Sequence, residues 1–142
     1  MSIVEYEQSY ASRSLLVDVR DEQEFAVSHI LGAINSRDPA AVASAFRSSG
    51  KEALVLYCSV GYRSSRMARR VQSLVSGPVY NLEGSIFEWA NSGRPVYRGE
   101  ERVNAVHPYG PRWEPLLDRR LRAHSPPGSP EATRCSPSSE WR

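Results

Sequence analysis

Residues 54–64 read Leu54-Val55-Leu56-Tyr57-Cys58-Ser59-Val60-Gly61-Tyr62-Arg63-Ser64. The first four form an unbroken apolar run, the pattern of a strand buried on both faces. A helix is expected from about Ser64 to Val75. Met67, Val71, Leu74 and Val75 recur on one face, and Arg66, Arg69, Arg70 and Ser73 fill much of the other. Between strand and helix lies a short loop that begins with a cysteine and contains a glycine.

Working outward, the same alternation repeats. Leu15–Val19 reads as a second buried strand. Asp21 can cap the helix that follows, with Glu24 as its capping-box partner. Gly32–Ile34 suits a short strand. Asp38-Pro39 opens a helix with an N-cap and a proline in its first turn, Val42, Ala45 and Phe46 facing inward and Gly50 at its end. Val79–Asn81 is another short strand. Ser85 is expected to cap a helix with Glu88, burying Ile86, Trp89 and Ala90 and stopping at Gly93. Strands alternating with helices predict an α/β fold: a small central parallel β-sheet flanked by helices on both faces.

The chain has 142 residues, the length of one domain. The expected organisation is a domain over 1–105, an extension over 106–122 packing on it through Trp113, Leu116, Leu117 and Leu121, and a disordered tail over 123–142. That tail is rich in proline and serine and lacks apolar periodicity. A net charge of +2 gives no reason to expect nucleic-acid binding. No apolar stretch approaches the roughly 20 residues of a membrane span, and the acidic N-terminus does not resemble a signal peptide. A cytoplasmic location is therefore expected. The two cysteines, Cys58 and Cys135, form neither a disulfide framework nor a zinc motif.

Cys58 follows the best strand, and ligands of open α/β sheets bind at the carboxyl ends of strands. Its loop can curl so that successive N–H groups point inward as an anion nest. The helix start, Arg63 and Arg66 add positive charge, which favours the reactive thiolate. Gly61 permits a backbone conformation closed to other residues. Free cysteines also commonly pack as small apolar groups. From the residues alone, a packed thiol and a reactive one are both open.

Three stretches together resemble the rhodanese (thiosulfate sulfurtransferase) superfamily. They are Asp18-Val19-Arg20 with Glu24-Phe25 and His29–Asn35, the Cys58–Ser64 loop, and Asn81–Ala90 followed by Gly93 and Pro95-Val96. The resemblance spans about residues 15–97. It implies a rhodanese-like fold and a ping-pong sulfur transfer. Cys58 would be the nucleophile that takes the outer sulfur of a small anionic donor such as thiosulfate. The persulfide would then pass its sulfur to cyanide in an assay, or to a thiol or partner protein in the cell. Ser59, Val60, Gly61, Tyr62, Arg63 and Ser64 would form the substrate-binding loop, with Arg63 stabilising departing sulfite. Neither a metal nor an organic cofactor is implied.

Related phosphatases place five residues between cysteine and arginine; here there are four, Ser59 to Tyr62. The smaller nest suits one sulfur atom better than a phosphate. A phosphatase or arsenate reductase and a sulfur-relay protein without thiosulfate activity are the alternatives.

Asp18 and Arg20 can lie in a layer beneath the loop, although an Arg20–Glu24 ion pair with a helix cap is the favoured structural reading. His29 is expected four residues after Phe25 on one helix face, as a hydrogen-bonded structural residue. Tyr62 can project into the pocket mouth, while Arg66, Arg69 and Arg70 suit a solvated face. His107 is expected to pack under Trp113, and Cys135 to be a bystander in the tail. Ser85 stands where the family often has a second glycine, and the usual first edge strand is expected to be rudimentary or missing.

Overall fold

The computed structural model describes residues 1–126, so Cys135 and most of the expected tail lie outside the described residues. One helical turn (α1, Ile3–Glu5) and a wider turn over Tyr6–Tyr10 precede β1 (Ser14–Asp18). Then come α2 (Glu22–Val27), β2 (Ile34–Asn35), α3 (Pro39–Ser49), β3 (Ala53–Tyr57), α4 (Tyr62–Gln72), β4 (Val79–Asn81) and α5 (Ser85–Asn91). A hairpin of β5 (Val96–Arg98) and β6 (Glu101–Val103) and two short 3-10 turns follow.

The four principal strands pair in parallel in the order β2-β1-β3-β4. All five β3 residues are buried. Strand alternation divides their side chains between two cores. Leu54, Leu56 and Cys58 face α3 and α4, with Val42, Phe46, Met67 and Val71. Val55 and Tyr57 face Ile86, Phe87 and Trp89 of α5 and the N-terminal Ile3 and Tyr6. Val106, Leu117 and Leu121 join this second core. Each large side chain so buried contributes about 1.5–3 kcal/mol relative to exposure.

Local sequence explains most boundaries. Asp38 accepts the Ala40 N–H at 3.1 Å with Pro39 in the first turn of α3, and Gly50 ends that helix at φ 70°. Several boundaries and faces differ from expectation. The inward residue of α3 is Ala43 rather than Ala45. Helix α4 starts at Tyr62 and stops at Gln72, which leaves Leu74 exposed. The expected strand at Gly32–Ile34 is shifted to Ile34–Asn35, because Gly32 is in a turn at φ 86°. Residues 112–121 form two 3-10 turns instead of one helix; Leu116 is exposed while Leu117 and Leu121 are buried. Ala123 donates its N–H to Val106 O at 3.0 Å, and His124 meets the ring of His107 at 5.4 Å, so the ordered chain continues past residue 122.

Candidate active site

The Cys58 loop connects β3 to α4 at the carboxyl edge of the sheet. Two N–H donors and one hydroxyl surround the sulfur. Gly61 N–H lies 3.1 Å from Cys58 Sγ, and the Ser64 N–H and Oγ lie 3.4 Å from it. Gly61 makes this possible at φ 111°, a value L side chains avoid. The loop is held from behind by α5. Ile86 N–H donates to Cys58 O and Phe87 N–H to Ser59 O, each at 3.1 Å.

Ser85 differs from its expected role. Gly84, at φ 75°, is the N-cap of α5, and Ser85 itself is at φ 50°. Its hydroxyl points to the active-site loop, accepting the Cys58 N–H at 3.2 Å and donating to Leu82 O at 3.0 Å. Asn81 ties β4 to the same loop: its Oδ1 receives the Ser64 hydroxyl at 2.5 Å.

Arg63 does not project as a free cation. Its Nη1 and Nη2 bind Glu24 Oε2 and Oε1, both at 2.8 Å, and Nη2 also reaches Ser59 Oγ at 2.8 Å. Burial alone would raise the Glu24 carboxyl, but the Arg63 fork outweighs it and holds the carboxyl below its usual range. The Tyr109 ring covers Arg63 at 3.8 Å. Its guanidinium is thus committed to shaping the loop, unlike its expected role at a departing sulfite.

The expected Arg20–Glu24 pair is replaced by two others. Arg20 instead binds Asp18, with Nη2 2.6 Å from Oδ2, and it also donates to Ser28 O at 2.6 Å. Both side chains are fully buried. Burial opposes the Arg20 charge, yet the Asp18 carboxylate outweighs it and shifts that group upward. Arg20 lies 5.8 Å from the Tyr57 ring, whose hydroxyl accepts the Ile30 N–H at 3.0 Å. Asp18 and Arg20 therefore brace the ends of β1 and β3 and make no contact with the thiol. His29 lies just beyond α2, pairing through its backbone with Tyr97 and stacking on Phe25 at 4.3 Å.

Cys58 is 1% exposed and forms the floor of a cavity of about 240 Å³. Tyr62, Arg63 and Arg66 line it together with Tyr109, Arg112 and Trp113 of the extension. These extension residues were not identifiable as site residues from spacing, since no local period connects them to position 58. His107 is not beside the thiol; its Nδ1 accepts the Tyr109 N–H at 2.9 Å.

The family model for the rhodanese-like domain matches residues 4–92. The chain belongs to the rhodanese-like domain family. A human single-domain sulfurtransferase is 28% identical, with a TM-score of 0.53 over 64% of this chain and 94% of that one. A Rhodopseudomonas palustris protein described as a possible tyrosine phosphatase is 25% identical, with a TM-score of 0.55 over 66% and 78%. The thiosulfate sulfurtransferase of Pseudomonas aeruginosa shares the fold at 20% identity and a TM-score of 0.62, over 99% of this chain but 25% of that longer one. No functionally curated protein matches the sequence. This rhodanese-like domain thus ends its matched region before the extension that closes its cavity.

Proposed function

We propose that the protein is a rhodanese-type sulfurtransferase with Cys58 as the sulfur-carrying nucleophile. The observation that carries this reading is the convergence of the Gly61 and Ser64 N–H groups on Cys58 Sγ. Such donors stabilise negative sulfur, first as thiolate and then as the terminal sulfur of a persulfide. The Cys58 thiolate attacks the outer sulfur of thiosulfate. The S–S bond breaks, sulfite leaves with its electron pair, and a Cys58 persulfide remains. A nucleophilic acceptor, such as cyanide, a small thiol or a partner protein, then takes the terminal sulfur and regenerates the thiolate.

The four-residue gap from Cys58 to Arg63 supports sulfur over phosphate chemistry. The commitment of Arg63 to Glu24 supports it further, because a phosphate-binding loop needs that fork for the ligand's oxygens. Thiosulfate and cyanide are expected to yield thiocyanate, and Cys58→Ser to yield none. Phosphoester hydrolysis without thiocyanate formation would instead favour a phosphatase.

A further inference from the structure

We propose that Arg112 of the extension and Arg66 of α4 form an anion subsite over Cys58 that binds the charged end of the sulfur donor. The inference rests on the sulfur-transfer reading and assigns donor recognition to residues beyond the matched family region.

The cavity is too large for the transferred sulfur alone. At about 30 Å³ per liquid water, it holds several water-sized groups above the thiol. Three arginines line it, and no acidic side chain does. Arg63 is neutralised by Glu24 and covered by Tyr109. Arg66 and Arg112 have no ion pair among the described residues. Each instead lies against a cavity aromatic, Arg66 5.9 Å from the Tyr62 ring and Arg112 5.1 Å from the Trp113 ring. Two arginines without an ion pair therefore line the same cavity as the Cys58 nucleophile.

The wall carrying Arg112 is firmly built. Val106, Leu117 and Leu121 anchor it in the core, and Val106 N–H donates to Leu121 O at 2.6 Å. Tyr109 is held at φ 70°, a left-handed conformation uncommon outside glycine, with its N–H on His107 and its ring on Arg63. Trp113 N–H closes the turn on Gly110 O at 3.0 Å.

The chemistry supplies the need for such a subsite. When the Cys58 thiolate attacks thiosulfate, the sulfur–sulfur bond breaks and sulfite takes the electron pair as a dianion. Charge thus grows on the group furthest from the nest, at the cavity mouth, where Arg66 and Arg112 meet it. The donor class is a small sulfane compound bearing a sulfonate, a thiosulfate or thiosulfonate, in preference to a neutral trisulfide.

The test separates binding from turnover. Thiosulfate is titrated by calorimetry into the Cys58→Ser protein and into the same protein carrying Arg112→Ala or Arg112→Lys. Arg112→Ala is expected to weaken binding about tenfold, and Arg112→Lys to retain most of it. In the Cys58-containing protein, Arg112→Ala is expected to lower the ratio of kcat/KM for thiosulfate to that for dimethyl trisulfide about tenfold. Unchanged thiosulfate affinity or an unchanged donor ratio in Arg112→Ala overturns the subsite. Absence of a Cys58 persulfide with both donors, while the binding loss stands, overturns the sulfur-transfer reading and supports the anion subsite.

Discussion

Glu24 and Arg63, 39 residues apart, meet in a two-point ion pair with both N···O distances at 2.8 Å. The pair fastens the start of α2 to the start of α4 and so ties α2 to the helix that follows the Cys58 loop. Glu24 serves two ends at once, because its Oε2 also accepts the Asp21 N–H at 3.0 Å.

Glu24→Gln should therefore cost both stability and activity. Removing one partner from a buried pair costs about 3–5 kcal/mol, and the partial exposure of Arg63 reduces that to about 2–3 kcal/mol. Urea denaturation measures the loss. Arg63→Lys keeps the charge but cannot bridge both oxygens, so its activity should fall more than its stability.

Ser85 offers a sharper contrast between two small substitutions. Both Ser85→Ala and Ser85→Gly remove the acceptor for the Cys58 N–H, at a cost of about 1–3 kcal/mol. Only glycine relieves the φ of 50°. Ser85→Gly should therefore be more stable than Ser85→Ala by about 1 kcal/mol. Equal denaturation midpoints would show that the backbone angle carries no cost.

Gly61→Ala should disable the site while leaving most of the fold intact. An alanine cannot easily hold φ 111°, and its Cβ would lie 3.4 Å from Asn81 Nδ2. Relaxation would move the N–H now 3.1 Å from the thiol sulfur. The strain is about 1–3 kcal/mol. Sulfur transfer is expected to fall at least about tenfold with circular dichroism unchanged.

Acid should loosen the extension. Burial pushes the His107 imidazole down to about 4 from 6.5, and His124 and the arginines 20 and 63 lower it further against the opposing pull of Glu24. Burial likewise lowers His124. The unfolded chain takes up the His107 proton near pH 6.5, whereas the folded chain does so near 4. Stability therefore declines as pH falls across that window and levels off below it. Trp113 fluorescence during urea denaturation at several pH values reports this, and His107→Asn should flatten the slope.

The sequence made the Cys58 region readable because β3 and α4 have strong, different periods and face opposite sides of one loop. Helix α3 was equally plain from Asp38-Pro39 and Gly50. The β5–β6 hairpin was not, since three-residue strands show no period. Glu24 was visible as a capping residue, but its partner lies on another helix. Ser85 resembled a cap because residue type alone does not reveal that Gly84 takes the left-handed turn. The cavity wall at Tyr109, Arg112 and Trp113 depends on where Val106, Leu117 and Leu121 insert into the core, a tertiary fact with no local signal.

Intact-protein and peptide mass spectrometry after incubation with thiosulfate tests the central claim most directly. The account predicts a gain of about 32 Da, one sulfur atom, on the peptide bearing Cys58. Cyanide should remove it with release of thiocyanate. A Cys58 peptide that stays unmodified while the protein still converts thiosulfate and cyanide to thiocyanate would contradict the account.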